Sequence, residues 1–236
     1  MTAVAKQHDN CPVEIQFRDQ RLFVDPRGSL FWPEERLLVI SDLHLEKGSS
    51  FAAHRGVFLP PYDTHTTLEA LALCITDWQP VRVVSLGDSF HDESASTRLP
   101  QSCKLRLRQL MENRDWIWVS GNHDPKPPED IGGTFCSELQ IGALNFIHEP
   151  RTIYRDGEIA GHLHPCAKIR RRGKTVRRRC FVADDKRMIL PAFGAFTGGL
   201  NVRNEAFDGL FENHLLRAWM LSGAEVYAVN GKALVR

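Results

Sequence analysis

Hydrophobic and polar positions divide the chain into many short strand-like runs and a few helical stretches. Val13 to Phe17 and Leu22 to Asp25 alternate apolar with polar residues, the period of a half-exposed strand, and predict a hairpin. Pro26-Arg27-Gly28 makes the next turn. Arg36 to Ser41 is apolar without alternation, which predicts a strand buried on both faces. Val81 to Leu86 and Trp116 to Ser120 read in the same way. Further strands are expected over Leu139 to Ile147, Glu158 to Ala160, Thr175 to Ala183 and Arg187 to Ala192. Ser49 to Gly56 predicts a short helix ended by its glycine. After the rigid connector Leu59-Pro60-Pro61-Tyr62, Asp63 or Thr64 caps a helix with Leu68, Leu71, Ala72 and Ile75 on one stripe. Gln101 to Asn113 predicts an amphipathic helix whose Lys104, Arg106 and Arg108 face solvent, and Pro125 to Gly133 a loop. From Phe207 the pattern predicts a helix holding Leu210, Phe211, His214 and Leu215, then a hairpin around Asn230-Gly231.

Composition adds bounds. With 236 residues and 42% hydrophobic content, the chain suits one domain over residues 11–236 behind a loose polar tail, Met1 to Asn10. A net charge of +1 excludes a global field that would draw nucleic acid or membrane, so any basic surface is local. No run reaches the roughly 18 apolar residues of a membrane span. The tail lacks the apolar core of a secretion signal. The six cysteines are scattered and form no Cys-x-x-Cys pair, which fits reduced thiols in a cytoplasmic protein. Cys166 reads as a packing residue.

The chemistry gathers at strand ends. The first apolar strand runs into Asp42 and His44, whose side chains would share one side of an extended segment. Later strands end at Asp88, at Asn122 and His123, at His148, and at His162 and His164. Gly87, Gly121 and Gly161 precede three of these groups and let the backbone turn off the strand or approach an ion closely. In open α/β folds, neighbouring strand ends converge at one edge. Imidazole, carboxylate and an amide oxygen without thiolate suit manganese, iron or zinc in a catalytic setting. The donors exceed the needs of one ion and suit two divalent ions sharing a carboxylate.

Asp42-x-His44, Gly87-Asp88, Gly121-Asn122-His123-Asp124, His148 and Gly161-His162-x-His164 together resemble the ordered signature of the calcineurin-like metallophosphoesterases. The resemblance implies an α/β fold, a four-layer α-β-β-α sandwich of two mixed β-sheets flanked by helices. It implies that Asp42, His44 and His164 hold one metal, that Asn122, His148 and His162 hold the other, and that Asp88 bridges them. Two ions sharing Asp88 would supply a bridging hydroxide to attack phosphorus, with Asn122 also on the substrate oxygens. His123 would stay off the metals and act in catalysis, oriented by Asp88 or Asp92. His91 and Asp92, just beyond the bridge, would face the substrate. Ile147 stands before His148 where many members carry glycine.

A narrower resemblance lies in Ser41-Asp-Leu-His-Leu-Glu-Lys-Gly-Ser-Ser-Phe, Leu59-Pro-Pro-Tyr-Asp-Thr, His148-Glu-Pro and Leu190-Pro-Ala-Phe-Gly-Ala-Phe-Thr-Gly-Gly. These are similar to the bacterial ligase-associated DNA-damage-response endonucleases (PdeM). That implies a phosphodiester substrate in DNA or RNA, with a DNA ligase and a helicase as repair partners. Lys168 to Arg179 holds eight basic residues and no acidic one, with Gly173 as a turn. Arg170, Arg171 and Arg172 could contact phosphates; a solvated hairpin is the plainer reading. Phe193 to Leu200 reads either as a close loop beside the site or as a structural turn. The function expected is a metal-dependent phosphodiesterase of nucleic acid. The alternatives are a phosphatase or small-nucleotide or diphosphate hydrolase, and a non-catalytic metal-binding scaffold. Arg203 to Arg236 is a candidate for pairing into a homo-oligomer.

Overall fold

The continuously apolar runs become the middle of a sheet. This computed structural model describes residues 10–55, 62–92, 94–125, 130–153 and 156–236. The chain begins with strands β1 (Val13–Phe17), β2 (Gln20–Val24), β3 (Leu30–Trp32) and β4 (Leu37–Ile40). Helices α1 (Lys47–Arg55) and α2 (Asp63–Trp78) lead to β5 (Arg82–Leu86), and α3 (Ala95–Arg98) and α4 (Gln101–Met111) lead to β6 (Asp115–Val119). With β7 (Thr134–Cys136) these strands form one sheet in sequence order, antiparallel from β1 to β4 and parallel from β4 to β7. Parallel neighbours need long crossovers, and the helices supply two of them.

The second half builds another mixed sheet. Its strands are β8 (Leu139–Ile141), β9 (Leu144–Phe146), β10 (Glu158–Ala160), β11 (Pro165–Arg171), β12 (Lys174–Ala183), β13 (Arg187–Ile189), β14 (Leu200–Asn201), β15 (Arg217–Ser222) and β16 (Glu225–Asn230). They run β14-β11-β12-β13-β10-β9-β8, with β15 also paired to β12 and β16 added outside β15.

Alternation decides which layer each residue joins. Leu37 and Val39 point between the sheets, where they meet Phe146, Phe181 and Leu190. Leu38 and Ile40 point outward against Leu68, Leu71, Ile75 and Leu107 of the helices. The expected burial of β4 on both faces is therefore observed. On the outer face of the second sheet, Val182, Ala218 and Met220 are covered by Val202, Phe207, Leu216 and Leu234. These lie on loops and two single-turn 3₁₀ helices, so this outer layer contains no α-helix among the described residues.

Several local expectations change. The helix expected at Leu210 to Leu215 is a series of turns after a 3₁₀ turn at Glu205–Phe207; Phe207 and Leu216 are buried individually, without a helical stripe. The last hairpin turns at Gly223, and Asn230 instead caps a second 3₁₀ turn through Lys232 N. Leu139 to Ile147 is a two-strand hairpin broken at Gly142, and the strand from Arg187 ends at Ile189. Asp63 does not cap its own helix: its Oδ2 accepts from Gly48 N in the first turn of α1 at 2.8 Å. Thr64 bonds Glu46 instead. Gly56, the Leu59–Pro61 connector, most of the N-terminal tail and residues 126–129 lie outside the described residues. Among those described, no helix is long and apolar enough to cross a membrane, and the six cysteines form no disulfide.

One buried ion pair joins two strands of the second sheet. Arg187 Nε donates to Glu158 Oε1 at 2.6 Å, and both side chains are fully buried. The guanidinium also donates to the carbonyls of Leu210 and Arg151. Removing one member of such a pair strands the other charge without water. Arg187→Ala is expected to destabilise the protein by about 3–5 kcal/mol, read from the urea midpoint. A midpoint shift below about 1 kcal/mol would contradict this account.

Candidate active site

The potential ligands gather because strand ends of both sheets meet at one edge. Asp42 and His44 follow β4, Asp88 follows β5, Asn122 and His123 follow β6, His148 follows β9, and His162 and His164 follow β10. The way Asp42 and His44 converge differs from the sequence reading. Neither lies on an extended strand; both have left-handed backbone, with φ of 52° and 44°. Asp88, His162 and His164 share this conformation, with φ of 47°, 68° and 45°. Left-handed residues fold the chain back sharply, so each short loop delivers its side chains inward. Hydrogen bonds from backbone N–H groups hold the loops: His44 N donates to the Asp88 carbonyl at 2.9 Å and His162 N to the Asp42 carboxylate Oδ2 at 3.1 Å.

The glycines serve mainly by leaving room. A Cβ on Gly161 would strike Ser41 Oγ and lie 2.7 Å from Asp42 Oδ2. A Cβ on Gly121 would strike Asp88 and lie 2.6 Å from Asp124 Oδ1.

Two groups of donors flank Asp88. Asp42, His44 and His164 form one: His164 Nε2 lies 3.2 Å from Asp42 Oδ1 and 3.3 Å from His44 Nε2. Asp88, His148 and His162 form the other, with His162 Nδ1 3.2 Å from His148 Nε2. The Asn122 amide oxygen lies 3.0 Å from that same Nε2. Asp88 turns one oxygen to each group: Oδ2 lies 3.8 Å from His44 Nε2 and Oδ1 3.4 Å from His148 Nε2.

This donor set fits cations. His148 Nδ1 is 2.8 Å from the Leu86 carbonyl, which only accepts, so the ring proton sits there. The Nε2 lone pair then faces a carboxylate, an amide oxygen and another imidazole. Acceptors converging on acceptors repel unless a positive centre lies among them. His148 reflects this: burial opposes its charge, yet Asp88 and Asp42 raise its pKa to about 9. His44 is kept neutral, chiefly by burial, with a pKa lowered to about 3. A neutral imidazole is the form that binds metal. Burial also opposes charge on Asp42 and Asp88, but the surrounding histidines hold both carboxyls below the usual range.

The other residues singled out in the sequence fall in different places. His123 is exposed, and its Nδ1 donates to the His91 carbonyl at 2.8 Å. Its ring is therefore oriented by a carbonyl and not by a carboxylate; Asp88 accepts instead from His123 N at 2.9 Å. The Asp92 carboxylate is taken by Arg98 at 2.7 Å and by Ser94 N at 2.9 Å. His91 stacks on His123 at 5.2 Å and lies 3.2 Å from His44 Nδ1. Arg170, Arg171 and Arg172 lie exposed at the far end of the β11–β12 hairpin. Arg170 is six residues beyond His164, about 20 Å along a strand. The structure does not bring these arginines to the ligands. Phe193 to Leu200 does adjoin the site, with Gly194 N bonded to Asp42 O and Leu200 N to His164 O, each at 3.1 Å.

Asp124 carries a role the sequence reading left unassigned. Its buried carboxylate accepts from Ser89 N at 2.7 Å, Phe90 N at 3.1 Å and Gly121 N at 3.1 Å. It ties the loop after β5 to the loop after β6. Burial, with Asp88 nearby, pushes its pKa up to about 6. The signal for it was its place directly after Asn122-His123.

The profile of one protein family, the calcineurin-like phosphoesterases, matches residues 35–182, more than half of the chain. The chain belongs to the calcineurin-like phosphoesterases. It is accordingly a metal-dependent phosphoesterase, with its candidate ligands distributed along the matched segment. Among solved structures, the phosphoesterase is similar to the Pseudomonas putida nuclease MPE, at 25% identity and a TM-score of 0.72. The similarity covers 93% of this chain and 100% of that one. No curated protein sequence matches it.

Proposed function

We propose that this phosphoesterase is a phosphodiesterase of nucleic acid that works with two divalent ions, manganese first among the candidates. The observation that carries this reading is Asp88, one carboxylate oxygen turned to each of two donor groups. Asp42, His44 and His164 would hold one ion, and Asn122, His148 and His162 the other, with Asp88 shared. Bound there, the ions would supply Lewis-acid activation of the phosphoryl group and of water.

The chain's own residues do the rest. Asn122, exposed beside the second group, can donate its amide N–H to a phosphoryl oxygen. His123 keeps its Nδ1 proton on the His91 carbonyl, which aims Nε2 outward. Protonated at Nε2, it can pass that proton to the departing oxygen. The stacked His91 ring keeps His123 from rotating away.

Similarity to a nuclease over 93% of the chain supports a diester substrate in nucleic acid. A repair role beside a DNA ligase and a helicase, in the cytoplasm, belongs to the same reading. Its test compares hydrolysis of bis(4-nitrophenyl) phosphate with that of 4-nitrophenyl phosphate by manganese-loaded protein. The diester is expected to be preferred, with two ions per chain by metal analysis. Preference for the monoester would reject the reading.

A further inference from the structure

Beside the candidate active site runs a groove that the catalytic account does not use. One hollow of about 370 Å³ is lined by Arg177, Arg178, Arg179, Thr197, Gly198 and Gly199. A second, of about 420 Å³, shares Arg179, Thr197 and Gly223 as walls and adds Phe196. The loop from Phe193 to Gly199 forms one bank. That loop is bonded at one end to the backbone of Asp42, and Leu200 just after it to His164, so the groove starts where one ligand group stops.

The groove has donors in excess. Among the described residues, no carboxylate pairs with Arg177, Arg178 or Arg179. Their hydrogen bonds go to carbonyls: Arg177 to Gly199 O, Arg178 to Arg177 O at 2.9 Å, and Arg179 to Ala192 O at 2.6 Å. Each guanidinium has five N–H donors, so most remain for a ligand. Arg179 is half-buried, and burial lowers its pKa from the ordinary arginine value. A partly desolvated cation without a counter-ion favours an anion. Within the described residues, the Gly198 and Gly199 amides donate to no protein acceptor, which adds neutral donors on the same wall. A phosphodiester is acceptor-only and anionic, and arginine's fork suits it.

Phe196 adds a second kind of contact. Its ring is 52% exposed, although its backbone is left-handed with φ of 56°. An aromatic ring held out to solvent beside an arginine-lined channel is the arrangement that stacks an unpaired base.

We infer that this groove binds the substrate strand outside the cleavage point, taking a phosphate on Arg177, Arg179 and the Gly198 and Gly199 amides and a base on Phe196. This rests on the nucleic-acid reading above and adds that the strand is single. It also moves the nucleic-acid contact from the Arg170–Arg172 hairpin tip to the base of the same hairpin.

The experiment uses manganese-loaded protein and a labelled single-stranded oligothymidylate, with bis(4-nitrophenyl) phosphate as a second substrate for the natural protein. Arg177→Gln, at an exposed position, and Phe196→Leu are each expected to raise KM for the oligonucleotide about tenfold, with kcat within about twofold. Arg179→Gln should do the same; metal content at the natural level would show that it has folded. For Arg177→Gln, the salt dependence of log KM should flatten by about 0.7, the value of one single-strand phosphate contact. A triple Arg170→Gln, Arg171→Gln, Arg172→Gln variant should change KM less than Arg177→Gln alone.

If the natural protein cleaves the oligonucleotide and the groove variants match its KM, the groove proposal fails and the nuclease reading survives. If the natural protein cleaves only the small diester, the nuclease reading itself fails and removes the groove's ligand with it.

Discussion

Asp88→Asn is expected to lower diester turnover by on the order of 10³-fold or more and to reduce bound metal below two ions per chain. Asn is nearly the same shape as Asp, and its oxygen can still accept from His123 N as Asp88 Oδ1 does at 2.9 Å. The fold around the loop therefore has little reason to change. What disappears is one negative charge between two groups otherwise rich in neutral imidazole. His44 and His148 then lose the anion that each faces. Metal analysis and diester hydrolysis on the same preparation decide the matter. Natural turnover with two ions retained would end the shared-carboxylate scheme.

His123→Ala should separate catalysis from metal binding. Turnover is expected to fall about 10²–10⁴-fold, the usual worth of a placed general acid, while two ions remain bound. His123 stands next to Asn122; its Nδ1 is bonded to the His91 carbonyl, and its ring stacks on His91 and meets the His44 ring edge-on at 5.2 Å. Removing the ring leaves the backbone N–H to Asp88 in place. An ester with a good leaving group needs less proton donation, so the loss should shrink with 4-nitrophenolate as the leaving group. An equal loss on every substrate, accompanied by loss of metal, would make His123 a structural residue.

Much of the fold was legible because burial on two faces leaves a plain mark. Leu37 to Ile40, Arg82 to Leu86 and Asp115 to Val119 are the parallel centre of the first sheet, and each reads as a nearly unbroken apolar run. Short strands carried weaker marks: Leu30–Trp32, inside the first sheet, and Thr134–Cys136, at its edge, are three residues each and were not anticipated. The tail was misread because Leu210, Phe211 and Leu215 fit a helical spacing, while Arg187 and the turn at Glu205–Phe207 hold the segment in another shape.

The site was legible as a set of residue types at strand ends. The backbone that assembles it was not. Asp42-x-His44 suggested a shared face of an extended strand, whereas two left-handed residues bring those side chains together. The sequence pointed to Asp88 or Asp92 to orient His123; Asp88 takes its backbone N–H and not its ring. Asp92 is near in sequence, but Arg98, six residues on, takes its charge. A carbonyl, which no residue type announces, does the orienting.

The five left-handed candidate ligands bear on when the site comes into being. For L-residues that backbone costs about 1–2 kcal/mol each, less for aspartate, so no isolated loop would adopt it unaided. Sheets, Asp124 and the loop-to-loop hydrogen bonds impose it as the chain folds. Under the proposed scheme the ions would therefore arrive at an assembled receptor, in contrast to small zinc domains, where metal drives folding. A peptide spanning Leu38 to Glu46 should show no metal affinity of its own. Chelation should leave a folded protein that regains activity on mixing with metal, without a refolding delay.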